Sequence, residues 1–329
     1  MTSRVLAADI GGTNARFAIA EVDSRGIRVR FARVYRTAAH PDFDTALTAF
    51  VEELRAQRDD ALAPSCAAIA VAGPVAGGEA RLLNRDSWTI SRRRIESIAG
   101  VPARLLNDFE ALAHGIAGAL PEDWVELQAG VPDAQANVAL VGAGTGLGVA
   151  ALVRDGPARR PVATEAGHMA FAPQDDLQLA LWRHLAARHG RVSAERVLSG
   201  SGIASIYEFL RLRESGAEPL HDPAAIGARA LSEPGGLARR AIDLFVACYG
   251  SFAGDVALAF LARGGLYLCG GIASRLKPCF TRGAFVERFN DKGRHRSLTE
   301  SVPVRLVVNE MLGLAGAARA AGADAAADG

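Results

Sequence analysis

The sequence is short of the features that classify a protein most quickly. It has four cysteines in 329 residues, Cys66, Cys248, Cys269 and Cys279, and no two stand at C-x-x-C spacing. Neither a zinc site nor a disulfide framework is expected from them, and most of them read as small buried hydrophobes. Charge of one sign is lacking too: 37 Lys and Arg face 36 Asp and Glu, for a formal net charge of +1. That balance makes no electrostatic case for nucleic acid or for an anionic membrane surface. No apolar run is seen to approach the ~20 residues of a membrane span. Strand-like sequence begins by Arg4, so no secretory leader is expected. Together these absences predict a cytoplasmic, reduced protein with no nucleic-acid and no membrane partner.

What is present is apolar and periodic. Half of the residues are hydrophobic, and the length suits two ordinary domains with sizeable cores. Residues 4–10 read as a buried strand, "ARFAIAEV" as a second and "VRFARVYRTA" as a third. "DFDTALTAFVEELRAQ" has helical spacing, with Phe43, Leu47, Phe50, Val51 and Leu54 on one side. "CAAIAVAGPV" is a short strand stopped by Gly73 and Pro74, and "VPARLLNDFEALAHGIAGAL" is a strand running into a helix with Asn107 and Asp108 at the joint. From about Asn137 the pattern restarts as strand, glycine turn, strand. Helices are expected at "LQLALWRHLAARHG", "GIASIYEFLRLRE" and "GLARRAIDLFVACYGSFAGDVALAFLA". The strand "GLYLCGG" leads into "IASRLKPCF", "VPVRLVVN" follows, and "MLGLAGAARAAG" is the last helix before a tail, "ADAAADG", expected to fray. Two similar halves of alternating strands and helices indicate an α/β protein of two domains with a cleft between them.

Each half opens with a glycine-rich turn joining two strands. The first follows "VLAADI" and contains Gly11, Gly12, Thr13 and Asn14; the second follows "VALV" and contains Gly142, Gly144, Thr145 and Gly146. Neither has the lysine of a P-loop, and the second has leucine where a dinucleotide fingerprint needs its last glycine. Both turn strand into strand. Such tips are either ordinary β-turns or phosphate cradles, because backbone N–H groups without side chains in front of them can approach an anion. Occurrence of the pair, one in each half, favours two cradles clasping a triphosphate. Asp9, at the end of the first apolar strand, either caps its own turn or balances a Mg²⁺ ion, directly or through water, since Mg²⁺ favours one or two carboxylates together with phosphate oxygens. At the second joint of interest, Asn107 and Asp108 are equally readable as a helix N-cap or as ligand-binding groups at the end of a strand.

Six segments in order, "DIGGTNARFAIAE", "LLNDFEALAHGI", "VGAGTGLGVA", "EAGHMAFAP", "SAERVLSGSGI" and "LCGGIASRL", resemble the bacterial ATP-dependent glucokinases of the actin-like, hexokinase-type ATPase superfamily, from about Val5 to Arg319. The resemblance implies the two-domain actin-like, ribonuclease H-like fold. A small domain would comprise residues 1–118 with 309–329, and a larger one residues 119–308. It implies transfer of the ATP γ-phosphoryl group to the 6-hydroxyl of D-glucose at the entry to glycolysis, with Mg²⁺, in a homodimer. "EAGHMAFAPQDD" has no cysteine, which places the chain with the zinc-free branch, and Ala166 stands where the family commonly has glycine.

By the same resemblance Asp108 is the general base for the 6-hydroxyl and Asn107 orients a neighbouring hydroxyl. Glu165 and His168, three apart, and Glu195 become sugar-hydroxyl partners. The residues alone leave solvation open for Glu195, and metal ligation for Glu165 and His168 is disfavoured by the lack of a second histidine or cysteine at ligand spacing. Gly270 and Gly271 are either packing glycines or, by the resemblance, the adenosine end of the nucleotide site. Ser199 to Gly202 form a similar glycine mouth. Asn84, in "LLNRDSW", lies one residue further from Trp88 than in the family's T-N-x-x-W. Three rival functions each have a discriminating feature. A kinase for another hexose or amino sugar is separated by relative kcat/KM. A silent sugar sensor should carry a DNA-binding extension and a basic surface. An actin- or chaperone-like ATPase has no need of the Asn107, Asp108, Glu165, His168 and Glu195 set.

Overall fold

The computed structural model describes residues 2–23, 26–82, 88–156, 158–214 and 218–327. The chain forms two compact units, residues 1–120 with 311–329 and residues 121–310. Asn84 lies outside the described residues.

Unit 1 is built on β1 (Ser3–Ile10), β2 (Asn14–Asp23) and β3 (Gly26–Arg36), an antiparallel meander. Val5 to Ala8 are all fully buried, which is how a strand covered on both faces reads. Helix α1 (Phe43–Ala56) is capped by Asp42, whose carboxylate accepts the Thr45 N–H, and it buries Phe43, Leu47 and Phe50 in the core that holds Phe17. Next come β4 (Cys66–Val71), a small antiparallel sheet of β5 (Val75–Ala76), β6 (Glu79–Arg81) and β7 (Thr89–Ser91), and α2 (Arg92–Ala99). The strand β8 (Ala103–Asn107) runs directly into α3 (Asp108–Ile116). The large sheet has the order β3-β2-β1-β4-β8, with β1, β4 and β8 parallel.

Unit 2 repeats this plan. After β9 (Trp124–Gln128), the meander β10 (Val138–Ala143), β11 (Leu147–Asp155) and β12 (Ala158–Thr164) is followed by four helices. They are α4 (Asp176–His189), α5 (Gly200–Arg211), α6 (Pro223–Ser232) and α7 (Leu237–Phe260). Then come β13 (Gly265–Cys269), the short helices α8 (Gly271–Arg275), α9 (Lys277–Phe280), α10 (Ala284–Asn290) and α11 (Arg296–Ser301), and β14 (Val304–Val307). The sheet order is β12-β11-β10-β13-β14-β9, so again an antiparallel meander is continued by parallel strands. β9, an edge strand antiparallel to β14, has no counterpart in unit 1 and was not foreseen.

Helix α7 corrects one sequence expectation. Its 24 residues are long and apolar enough by composition to cross a membrane, although no such run was recognised. Here 78% of its most apolar stretch is buried in the protein. Its Tyr249 packs edge-on against Phe245, Phe280 and Phe285, so α7 is a core helix.

The last helix, α12 (Leu312–Ala327), belongs to unit 1 and packs on α3. A Cβ on Gly316 would stand well inside contact distance of the Ala111 carbonyl, so the two backbones meet as only glycine permits. The helix continues through "ADAAA" to Ala327, the last described residue, rather than fraying from Ala323 as expected. Alanine has the highest helix propensity, and no proline intervenes.

Candidate active site

The first glycine turn closes on itself: the Gly11 N–H donates to the Asn14 carbonyl at 2.9 Å. Behind it lies Thr37, fully buried at the end of β3. Its hydroxyl donates to the Gly12 carbonyl at 3.0 Å, and its N–H to the Thr13 carbonyl at 3.0 Å. A peptide is planar and trans, so carbonyls turned toward Thr37 turn the N–H groups of Thr13 and Asn14 the other way. Sequence reading missed Thr37, which follows a strand already rich in arginine and so gave no signal of its own.

Asp9 is the next-to-last residue of β1, just before this turn. The hairpin register sets Asp9 opposite Arg16, and Arg16 Nη1 lies 3.6 Å from Asp9 Oδ2. The Asp9 carboxylate therefore has a cationic neighbour, placed there by the tightness of the turn. Burial still pushes the Asp9 carboxyl above its ordinary range, with Arg16 working against the shift. Gly313, in the first turn of α12, is next to the same carboxylate: a Cβ there would be 3.4 Å from Oδ2.

Asn107 and Asp108 stand at the same carboxyl edge of the sheet. Ile10 of β1 pairs with Val71 of β4, and Val71 with Asn107 of β8, so Asp9 and Asp108 each lie one residue from this row, on strands two places apart. Asn107 is the N-cap of α3. Its side-chain oxygen accepts the N–H groups of Phe109 at 2.9 Å and Glu110 at 3.4 Å, and its amide donates to the Gly73 carbonyl at 3.2 Å. The cap reading of Asn107 is thus satisfied in full, and its amide has a second N–H for any further role. Asp108 Oδ1 also accepts the Phe109 N–H, at 3.0 Å. Burial, and then repulsion from Asp9, push the Asp108 carboxyl up to about 7, against the opposing pull of that hydrogen bond. A carboxyl held there is a base at neutral pH and an acid just below it.

The second glycine turn is supported differently. The Gly144 N–H donates to the Gly146 carbonyl at 2.8 Å, and the Gly200 N–H, at the start of α5, donates to the Gly144 carbonyl at 2.9 Å. Ser199 caps that helix by accepting the Gly202 N–H at 3.2 Å. Beneath the turn, the buried Tyr249 hydroxyl donates to the Val141 carbonyl and accepts the Ala143 N–H, both at 3.1 Å. It serves β10 where the ladder with β13 ends, at Gly142 and Cys269. Gly270 then turns the chain away with φ +87°, and a Cβ on it would be 2.5 Å from the Ala143 carbonyl. Packing alone accounts for glycine at 270. At Gly271 an added Cβ would meet nothing nearer than the Arg275 guanidinium at 3.9 Å, so its backbone is approachable.

Glu165, His168 and Glu195 come together in unit 2. The bridge between Ala170 and Ser193, and the Ala194 N–H donated to the Met169 carbonyl at 2.8 Å, tie their two segments side by side. His168 Nε2 is 3.7 Å from Glu165 Oε2, and His168 Nδ1 is 4.0 Å from Glu195 Oε1. Two carboxylates flank an imidazole here, with Glu165 largely exposed, an arrangement chemically able to offer acceptors and an adaptable donor to hydroxyl groups. Among the described residues no group of three or more His, Cys, Asp and Glu could hold a metal ion.

Known proteins resemble this chain over nearly its whole length. A sequence profile described as glucokinase matches residues 6–324. A glucokinase of Nostoc punctiforme is 36% identical over 338 residues, covering 95% of this chain and 97% of that protein. One of Synechocystis is 38% identical over 342 residues, covering 95% and 96%. The crystal structure of a glucokinase from an Antarctic psychrotroph superposes with a TM-score of 0.84 at 32% identity, covering 97% of this chain and 98% of that one.

Proposed function

The chain belongs to the glucokinase family, and from that premise we propose how its residues divide the reaction. The reaction itself is that of an ATP-dependent glucose kinase with the actin-like fold: the terminal phosphoryl group of ATP passes to the 6-hydroxyl of D-glucose, giving glucose 6-phosphate and ADP.

The observation that carries the assignment of roles is Asp108, a carboxyl near pH 7 at the carboxyl edge of a parallel sheet. The sugar 6-oxygen attacks the γ-phosphorus, the bond from phosphorus to the ADP oxygen breaks, and the hydroxyl proton goes to Asp108. An alcohol becomes acidic only as its bond to phosphorus forms, so this transfer is late, and most of the acceleration comes from positioning and charge neutralisation. Asn107 orients a neighbouring hydroxyl with its second amide N–H. Glu165, His168 and Glu195 take further sugar hydroxyls, which would be left unpaired by a sugar lacking them. The N–H groups of Thr13 and Asn14 and the turn from Gly142 to Gly146 receive phosphate oxygens, and Gly271 offers its backbone to the adenosine end.

Asp9 suits a Mg²⁺ ion that arrives with the nucleotide. It is a single carboxylate, raised in pKa by burial and only partly offset by Arg16, while no multi-ligand cage occurs among the described residues. When bound, the ion would neutralise phosphate charge, with Asp9 holding it directly or through water. The proposal extends to a cytoplasmic homodimer at the entry to glycolysis. Support for the cytoplasm is the buried, disulfide-free state of Cys248, Cys269 and Cys279. Support for a dimer is the apolar surface that Leu179 and Trp182 expose one turn apart on α4.

The test is a coupled assay of glucose 6-phosphate with purified protein, ATP and Mg²⁺, repeated with mannose, fructose and N-acetylglucosamine. The highest kcat/KM is expected for glucose; a higher value for another sugar overturns the assignment of the sugar site. Gel filtration with light scattering reads the dimer.

A further inference from the structure

Two motifs assigned to different ligands share one side chain in unit 2. Glu195 Oε1 faces His168 at 4.0 Å, within the sugar set. Its other oxygen, Oε2, accepts the N–H of Leu147 at 3.0 Å, and Leu147 is the first residue after the second glycine turn. A methyl group on Gly146, the last residue of that turn, would stand 2.6 Å from the same oxygen. The contact is reinforced by backbone: Gly167, between Glu165 and His168, is so close to the Leu147 carbonyl that no side chain fits between them. The sugar motif and the outgoing strand of the phosphate turn are therefore one packed cluster, spanned by Glu195.

We propose that Glu195 is a coupling residue, through which sugar binding and nucleotide binding strengthen each other. The proposal rests on the reading of Glu195 as a sugar partner. A carboxylate is planar, so its two oxygens move together. A sugar hydroxyl donating to Oε1 fixes the plane and with it the direction of Oε2 toward the Leu147 N–H. Without sugar the side chain is 32% exposed and has only one of its two anchors. A turn whose exit is already held loses less freedom when it closes on phosphate, and by linkage the nucleotide must favour the sugar to the same degree.

The reciprocity gives the test. Calorimetry on the full chain measures binding of a non-hydrolysable ATP analogue with and without saturating glucose, and of glucose alone, in wild type, E195A, E165A and G146A. The wild type is expected to bind the analogue about 5-fold or more tighter with glucose present. E165A is expected to weaken glucose but, once saturated, to keep that ratio. E195A is expected to bring the ratio close to one at saturating glucose. G146A is the decisive variant. Its added methyl meets the mobile end of one side chain, so the fold is retained, as circular dichroism would check, while Glu195 is pushed aside. It is expected to weaken glucose about 5-fold in the absence of any nucleotide, although it lies in the nucleotide turn. Unchanged glucose affinity in G146A, or a wild-type ratio in an E195A protein that has lost glucose affinity, overturns the coupling and leaves the sugar reading standing. Unchanged glucose affinity in both E165A and E195A overturns the sugar reading, and the coupling with it.

Discussion

The two glycine hairpins are alike in outline and unlike in what stands behind them. The turn from Gly11 to Asn14 has an acid at the end of its incoming strand and is held by a threonine hydroxyl and N–H. The turn from Gly144 to Gly146 has no acid in its incoming strand, "VALVGA"; a tyrosine hydroxyl, a helix N-terminal N–H and a carboxylate support it. A shared local shape thus carries two chemistries. The first hairpin belongs with the acids of unit 1, where Asp9 and Asp108 influence one another. The second belongs with Glu165, His168 and Glu195 of unit 2. The lesson is that a strand–glycine–strand pattern specifies a turn, and the residues packed under it specify what holds that turn in place.

The contrast is broken most severely at Asp108. Asp108→Ala is expected to lower kcat by about 10²- to 10⁴-fold while the affinity for ATP changes little. Steady-state kinetics with both substrates varied decide this, and an unchanged kcat would remove Asp108 from the reaction and with it the acid character of the first region.

A pH series sharpens the same side. With the Asp108 carboxyl near 7, kcat/KM for glucose should fall about tenfold per unit on going acid of neutral. Asp9→Asn removes the second cause of the raised value and leaves burial, so the acid limb should move to lower pH; a limb that stays in place would sever the two acids. Stability has the opposite sign. The unfolded carboxyl titrates near 3.9 and the native one near 7. Between those values the native state holds a proton that the unfolded state has released. Asp108 therefore favours folding fully below about pH 4, and that contribution is lost as pH rises through 7.

Smaller effects separate the two supports. Thr37→Val removes one hydrogen bond behind the first turn and should raise KM for ATP about tenfold, with KM for glucose unmoved and Thr37→Ser restoring it. A parallel rise in both KM values would make Thr37 a general structural residue. Tyr249→Phe leaves the Val141 carbonyl and the Ala143 N–H without their partner and should cost about 1–3 kcal/mol of stability in urea unfolding. Its kcat should stay near wild type, because the tyrosine touches the strand and not the tip.

Much of this was readable in order along the chain. The strand-to-helix joint at Asn107 and Asp108, the two glycine turns and the strand leading to Gly270 fall where periodicity and breakers put them. The partners of those residues were not readable. Arg16 was visible seven residues from Asp9, yet only the register makes them neighbours. Thr37 is remote in sequence from Gly12, Glu195 from Leu147, and Tyr249 from Ala143. No spacing rule links such pairs.

By itself the sequence determined the local shapes, because turns, caps and strand patterns are set by residues within a few positions of one another. It also settled the family, through six motifs in order. The tertiary structure alone decided which group each shape is held by, the raised carboxyl at Asp108 and the placement of Glu195 between Leu147 and His168. Burial, repulsion between acids and hydrogen bonds across more than a hundred residues depend on distances in space, and those exist only once the chain has folded.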